Sequence, residues 1–250
     1  MNLVLLEAAE LGADGRARLS GPRAAHLVNV LGVVPGQTVR VGVLDGPRGI
    51  ATVESVGGNS VLVHCVLEAE APPPPRVDLL LAVPRPKVMR RLWAQLAALG
   101  VSRIILTNAE RVERPYFDTH VLTTECYRPL LLEGLQQAKD TRLPLVSIHR
   151  QFKVLVEDEL DGLSGAGLRL IADPAAATSV GDAVRDGLGS NPDTRLLLAI
   201  GPEGGWNAFE LRLLEAHGFQ RIGMGPRTLR TDTACLALLA LAHDALTGVD

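Results

Sequence analysis

The sequence is poor in aromatic side chains, which make up 3% of its 250 residues. Trp93, Trp206, Tyr116 and Tyr127 are too far apart along the chain to suggest a platform of stacked rings, the device by which many proteins hold single-stranded nucleic acid. Leu, Val and Ala must fill the core instead. With 47% hydrophobic and 21% charged residues, the chain can bury a core of ordinary size.

Cysteine is also scarce, and no Cys-x-x-Cys pair occurs among Cys65, Cys126 and Cys235. This spacing argues against a disulfide framework and against a thiolate metal site. The six histidines are equally dispersed. We therefore expect no metal and a chain that works in the reducing cytoplasm.

Long apolar runs are missing as well. The longest mainly apolar stretches, residues 77–83, which include Asp78, and 235–242, fall well short of the roughly 20 residues that span a bilayer, and the N-terminus lacks a positive start. No membrane partner is expected. The formal net charge of −3 gives no overall attraction to nucleic acid, so an RNA partner would need a local basic patch.

A run of four prolines, residues 72–75, predicts a stiff boundary. We predict three parts: a domain over residues 1–70, a linker over 71–76 and a second domain over 77–250. The first alternates short β-like runs with turn signals, which favours a small β-barrel with one helix near residues 26–31. The second alternates apolar strands with helices, which predicts an α/β domain with a mostly parallel sheet covered by helices on both faces.

Two glycine-proline loops near the C-terminus are the most informative segments. Gly201-Pro202-Glu203-Gly204-Gly205 follows an apolar strand and precedes a predicted helix, where Asn207 can act as N-cap and Glu210 can reach back. Glycine permits close approach of the backbone to a ligand, although one such loop alone is equally consistent with a tight turn. The second loop, Gly225-Pro226-Arg227, also follows a strand. Helix capping does not explain its Arg227 and Arg230, which favours a ligand site at the strand ends.

Together these loops resemble a known family. Gly-Pro-Glu-Gly-Gly, followed by Gly-Pro-Arg-x-Leu-Arg-Thr-x-Thr-Ala within residues 200–234, is similar to the RsmE-type methyltransferases of the SPOUT superfamily. Those enzymes use S-adenosyl-L-methionine (SAM) to methylate N3 of a uridine in 16S ribosomal RNA of the small subunit. The resemblance extends to residues 26–31 and 35–39, which look like the family's PUA-like RNA-binding barrel, and to Lys87, Leu99-Gly100-Val101 and Glu110-Arg111. It implies a trefoil-knotted C-terminal domain that forms a homodimer, with the cofactor site near the interface.

Several positions depart from the family pattern. Residues 1–7 contain no arginine, Gln136-Gln137-Ala138-Lys139-Asp140 replaces a common Glu-Gln-Ser-Gly-Arg, and Gln95 and Ala98 stand where a Lys and a Glu are usual. Because these positions bear on RNA contact or domain packing, they leave two alternatives open. The chain could modify a different rRNA or tRNA nucleoside, or it could be a non-catalytic RNA-binding relative.

By resemblance, SAM would lie bent across three loops. The residues implied to hold it are Ala172, Asp173, Pro174, Ile200, Gly201, Pro202, Glu203, Gly204, Met224, Gly225, Pro226, Leu229 and Thr231. Uracil N3 must lose its proton before it attacks, and a guanidinium can stabilise the charge that spreads onto the carbonyl oxygens. Arg230 and then Arg227 are the candidates for this role. Glu203 and Asp232 are candidate proton acceptors, although we favour a structural role for both, with Glu203 bracing its loop and Asp232 capping its helix.

RNA binding needs a basic patch, and six cations near the start of the second domain could form one: Arg85, Lys87, Arg90, Arg91, Arg111 and Arg114. Each residue alone is typical of a solvated helix surface. Together they predict a track for RNA phosphates.

Overall fold

The computed structural model of the chain describes residues 2–188 and 193–247. Contacts divide the chain into two compact units, the first formed by Met1–Pro74 with Leu132–Leu143 and the second by Pro75–Leu131 with Pro144–Asp250. The first boundary lies within the proline run. Residues 132–143, which the sequence pattern places in the second domain, group with the first unit.

The first unit is built on a five-stranded sheet with the order β1-β3-β4-β5-β2, in which only β1 and β3 are parallel. Its inward residues alternate along the strands, as in β5, where Val61, Val63 and Cys65 are buried. Helix α1 (Gly21–Asn29) buries Ala24 and Leu27. The strands are β1 (Val4–Leu6), β2 (Arg16–Ser20), β3 (Thr38–Val43), β4 (Arg48–Gly57) and β5 (Ser60–Leu67).

The second unit contains a six-stranded sheet with the order β11-β9-β10-β6-β7-β8, and every pair of neighbours is parallel. All residues of the central strands β6 and β10 are buried, as expected for a parallel sheet with covered faces. The predicted α/β class with a mostly parallel sheet is therefore confirmed. The strands are β6 (Val77–Ala82), β7 (Val101–Thr107), β8 (Leu145–His149), β9 (Leu168–Ala172), β10 (Leu196–Ile200) and β11 (Phe219–Ile222).

Helices connect these strands. A π-helical turn, Leu155–Glu159, joins two of them, α4 and α5. Helix α3 is shared, since its residues up to Leu131 belong to the second unit and the remainder to the first. The helices are α2 (Pro86–Ala98), α3 (Thr124–Ala138), α4 (Phe152–Val154), α5 (Leu160–Leu163), α6 (Val180–Leu188), α7 (Ala208–Ala216) and α8 (Thr231–Thr247).

Some element boundaries differ from the sequence prediction for local reasons. The pattern places the last strand at residues 221–224, but Gly218, with φ of 82°, ends the preceding turn and allows β11 to begin at Phe219. The pattern also begins the first helix at residue 26. It starts at Gly21 because Pro22 is tolerated in a first helical turn, where its missing N–H would have no partner.

Within residues 2–188 and 193–247, no helix combines the length and apolar character needed to cross a membrane. The three cysteines are free thiols, with Cys65 and Cys235 buried. In the same described ranges, no three His, Cys, Asp or Glu side chains gather in a way that could hold a metal ion.

Candidate functional site

Three neighbouring strands of the second unit end at one cleft. β11, β9 and β10 lie side by side and run parallel, so their carboxyl ends meet at the same edge, where open α/β sheets commonly bind ligands. A cavity of about 290 Å³ lies there, between the turn after β9, the glycine loop after β10 and the segment that leads into α8. A smaller cavity of about 70 Å³ adjoins it and shares the wall residues Ala172, Asp173, Pro174, Leu229 and Ala234.

The structure brings nearly all of the predicted cofactor residues to this cleft. Met224 and Gly225 line the smaller cavity. Pro226 is exposed and lines neither cavity. The larger cavity is lined by Ala172, Asp173, Pro174, Ile200, Gly201, Pro202, Glu203, Gly204, Leu229 and Thr231.

Sequence reasoning missed several wall residues, both inside and outside the two motifs. Trp206 follows the glycine loop directly, and its buried ring packs against Phe152 with centroids 5.4 Å apart. The only indication in the sequence that Trp206 belongs to the site was its position directly after the glycine loop. The others lie in loops, in helices α7 and α8 and at the end of β11, and only the fold reveals that they face the cleft: Gly205, Leu211, Thr228 and Ala234 in the larger cavity, and Ile222, Gly223 and Leu238 in the smaller.

Two glycines at the cleft are closely packed, and Gly223 leaves no room for a side chain. A Cβ at Gly201 would lie 3.1 Å from Cδ1 of Trp206, and a Cβ at Gly223 would lie 2.3 Å from the carbonyl oxygen of Ala176. The second distance is far inside van der Waals contact. Any side chain at Gly223 would therefore displace the turn after β9 that forms one wall.

The segment before α8 leaves backbone donors available. Within the described residues, the amides of Met224, Thr228 and Leu229 donate to no backbone or side-chain acceptor. Thr228 and Leu229 line the larger cavity, and Met224 lines the smaller. An adenosine-containing ligand could accept hydrogen bonds from such amides, so the donor set fits a nucleoside cofactor.

Two hydrogen bonds between side chains and backbone tie the glycine loop to neighbouring segments. Glu203 accepts a hydrogen bond from the amide of Arg85 at 3.1 Å, and Arg111 donates to the carbonyl oxygen of Gly204. The Arg111 stem also lies over the same glycine, because a Cβ at Gly204 would be 2.8 Å from its Cδ. Arg111 was predicted to contact RNA and Glu203 to accept a proton. Both side chains instead form hydrogen bonds with backbone groups that connect the loop to its neighbours.

The start of α7 is fixed by the predicted capping box. Asn207 accepts from the amides of Phe209 and Glu210, and Glu210 accepts from the amide of Asn207 at 2.7 Å. The Glu210 carboxylate is buried and also accepts from the amide of Glu110 at 2.7 Å. One carboxylate therefore ties the helix that follows the glycine loop to the segment that carries Arg111.

Asp232 lies in the first turn of α8 and pairs with Arg91 at 2.7 Å. Burial raises the pKa of Asp232, but hydrogen bonds from Arg91 and from the Thr233 amide, with the charge of Arg91, lower it by more, so the net pKa lies below the ordinary value. The ionised form is stabilised, which makes this carboxylate a weak proton acceptor. Asp232 lines neither cavity.

The two candidate catalytic arginines are exposed. Arg227 lines the smaller cavity, whereas Arg230 lines neither and lies one residue before α8. Across residues 2–188 and 193–247, neither guanidinium has a hydrogen-bond or ion-pair partner. Their donors are therefore free for a ligand.

All six cations of the predicted RNA track are exposed. Arg91 and Arg111 have the partners given above. Lys87, Arg90 and Arg114 have no partner in the part of the chain that the structure describes. The free positive charge of the track therefore lies mainly at the start of α2 and after β7.

Comparison with known proteins places this geometry in a family. Residues 71–243 match the model of the RNA methyltransferase domain. The ribosomal RNA small subunit methyltransferase E of Treponema pallidum is 34% identical over 253 residues, an alignment that covers 97% of this chain and 92% of that protein. The chain belongs to the RsmE family. Its membership bears out the resemblance seen in the two glycine-proline loops.

Solved structures of other methyltransferases share the fold of this RsmE chain. An RsmE from Neisseria gonorrhoeae bound to S-adenosyl methionine has a TM-score of 0.77 at 21% identity, covering 98% of this chain and 97% of the other. A methyltransferase from Legionella pneumophila in complex with SAM has a TM-score of 0.76 at 23% identity, covering 98% and 97%. These likenesses extend over both units.

Proposed function

We propose that this chain transfers a methyl group from SAM to N3 of a uridine in 16S ribosomal RNA of the small subunit. The observation that carries the proposal is the cleft where three parallel strands end, formed by the two family motifs and walled by glycines. Membership of the RsmE family supports the reaction class. The choice of uridine N3 rests on the family resemblance.

We assign cofactor binding to the cleft residues, with Pro226 as a loop residue outside the wall. SAM supplies an electrophilic methyl group when bound. The chain's part is to hold the nucleoside moiety through the backbone of Gly201–Gly204 and the amides of Thr228 and Leu229. Positioning is the main task, since an in-line displacement needs nucleophile and methyl group on one axis.

Arg230 and Arg227 would act on the target base. A cation beside the uracil carbonyl oxygens favours the deprotonated ring, so it lowers the pKa of the N3–H group and stabilises the charge in the transition state. Glu203 and Asp232 are engaged by Arg85 and Arg91. We therefore propose that both carboxylates act structurally, and that the N3 proton leaves to solvent.

The finer architecture belongs to the same proposal. We propose a PUA-like barrel over residues 1–70, a linker over 71–76, and a trefoil-knotted methyltransferase domain over 77–250 that forms a homodimer in the cytoplasm. Leu241, which is 46% exposed on α8, supports an interface on the helix that begins at the cleft. The six cations of the track would guide RNA phosphates.

The proposal is tested by incubating the purified chain with SAM and small ribosomal subunits from a strain that lacks its own enzyme. Digestion of the rRNA and mass spectrometry should reveal 3-methyluridine at one position. A methylated nucleoside of another kind would support the alternative target. Absence of any product, with small subunits and free 16S rRNA both tried, would contradict the proposal.

A further inference from the structure

The first unit has its own concave surface, a groove of about 660 Å³ on the outer face of the five-stranded sheet. Its floor contains Ile50 on β4 and Val66 on β5, which are direct cross-strand partners. These side chains are 56% and 66% exposed. They are the only large exposed apolar side chains on the strands of this sheet within the described residues. A lone exposed apolar residue is ordinary, but a paired patch in a groove indicates a binding surface.

Cations border this patch. Arg40 on β3 is the cross-strand partner of Ile50, and Arg48 and Lys139 also line the groove. Arg48 lies 3.7 Å from Glu68, the one acidic residue in the wall. Arg40 and Lys139 have no carboxylate partner anywhere in residues 2–188 and 193–247. The groove is therefore locally positive in a chain whose net charge is −3.

Two other arginines of the same unit are neutralised by carboxylates, whereas Arg18 bonds to the Ser60 hydroxyl outside the groove. Arg16 bonds to both Asp14 and Glu54, and Arg23 pairs with Glu10. The groove is thus distinguished by bringing together two cations, Arg40 and Lys139, that both lack a carboxylate partner within the described residues. Partnered arginines elsewhere on the unit cannot offer the same attraction to an anion.

Lys139 occupies a conformation that is unfavourable for its residue type. It follows the last residue of α3 with φ of 59°, a left-handed position where glycine is normally preferred. A side chain there is sterically disfavoured. The amide of the next residue, Asp140, donates to the carbonyl of Leu135, so the turn is fixed. Lys139 therefore lines the groove from the end of α3.

We propose that this groove binds an unpaired segment of the RNA substrate, with Arg40 and Lys139 on phosphates and one base against Ile50 and Val66. This inference rests on the proposed function in one respect, namely that the substrate is RNA. Proteins hold unpaired RNA by pairing cations with its backbone and laying bases on flat apolar or guanidinium surfaces. Ile50 and Val66 supply the apolar surface here, where aromatic rings are absent. The unpartnered cations favour RNA over a protein partner.

The test uses the full chain and fluorescently labelled, protein-free 16S rRNA. Binding is measured over a range of salt concentrations for the wild type, Arg40→Glu and Lys139→Glu. The slope of log K against log salt should fall by about 0.7 for each lost contact with a single-strand phosphate. Ile50→Ser should weaken binding and leave the slope unchanged.

Arg18→Glu is the matched control. Arg18 is exposed on β2 of the same sheet and bonds to the Ser60 hydroxyl, outside the groove, and the charge change is identical. It should keep the wild-type slope. SAM affinity, measured by calorimetry, should be unchanged in every variant and shows that the second unit is folded, while circular dichroism checks the first.

An unchanged slope in Arg40→Glu and Lys139→Glu overturns the inference, as does an equal loss in Arg18→Glu. If only Ile50→Ser has a phenotype, and it lies in subunit binding with free rRNA binding intact, the groove serves a protein partner and the inference is wrong. The methylation assay separates the two proposals. A chain that binds RNA through the groove yet forms no methylated nucleoside contradicts the function alone.

Discussion

At the scale of single residues, the arginines of the second unit fall into two groups. Arg169 and Arg195 donate to carboxylates or carbonyl groups and brace the fold. Arg227 and Arg230 are exposed and donate to nothing in the described ranges. Keeping two guanidiniums unpaired beside a ligand cleft has no stabilising effect on the fold. It leaves their donors for a substrate, which is why they carry the catalytic assignment.

Arg230→Ala should lower the methylation rate by about 100- to 1,000-fold, the usual cost of removing one donor to developing negative charge. SAM affinity should be nearly unchanged, because the Arg230 side chain lines neither cavity. Single-turnover methylation and calorimetry measure the two quantities. Arg212→Ala, at an exposed arginine on α7, is the control and should behave as wild type. A rate within about threefold of wild type would show that Arg230 has no catalytic role.

Asp232→Asn tests the structural assignment of that carboxylate. Since the pKa of Asp232 is lowered in the folded chain, its ionisation contributes stability that is present above the unfolded pKa and is lost as pH falls through the folded pKa. The asparagine variant should therefore be less stable at neutral pH, with a smaller difference in acid. Methylation should stay within about threefold of wild type. A loss of 100-fold or more, with SAM affinity retained, would instead identify Asp232 as the proton acceptor.

At the scale of elements, the glycine loop depends on the segment after β7. Arg111 and Glu110 both contact the loop or the helix that follows it, through Gly204 and Glu210. A loop that presents its backbone to a cofactor must be held, because glycine increases the number of conformations to be restricted. We therefore infer that Arg111 positions the loop.

Arg111→Ala should weaken SAM binding about five- to tenfold, somewhat less than the loss of a buried charged hydrogen bond because the site is exposed. Arg111→Lys should weaken it similarly while keeping the charge, and with it the salt dependence of RNA binding. Arg114→Ala, at a nearby exposed arginine without a partner, should leave SAM affinity intact. Unchanged SAM affinity together with a reduced salt slope in Arg111→Ala would show that Arg111 contacts RNA phosphates and does not position the glycine loop.

The elements that local pattern specifies were predictable from the sequence. Predominantly apolar segments predicted β6 and β10, and the Asn207 and Glu210 pair predicted the start of α7. Long-range contacts were not predictable. The pairing of Asp232 with Arg91 joins residues 141 positions apart, and spacing alone carries no signal for it. The sequence therefore could not show that Arg91, assigned to RNA binding, and Asp232, assigned to catalysis, contact each other.

At the scale of the whole molecule, the two units differ in composition as well as in fold. All aromatic residues lie in the second unit, including Trp93 in α2 and Trp206 at the cleft. The first unit, without any ring, relies on Val, Leu and Ala for its core. Tryptophan fluorescence therefore reports on the unit that contains the candidate cofactor site and on no other part of the chain.

This separation makes a thermal experiment specific. SAM at 100 times its dissociation constant should stabilise the native second unit by about 2.7 kcal/mol, since a ligand that binds only the folded state shifts the equilibrium by mass action. For a unit of this size the tryptophan midpoint should rise by about 5–10 °C. Arg40→Glu, in the first unit, should show the full rise, and Arg111→Ala a smaller one at the same SAM concentration. Calorimetric binding without any rise in the tryptophan midpoint would mean that SAM binds elsewhere than the cleft beside Trp206.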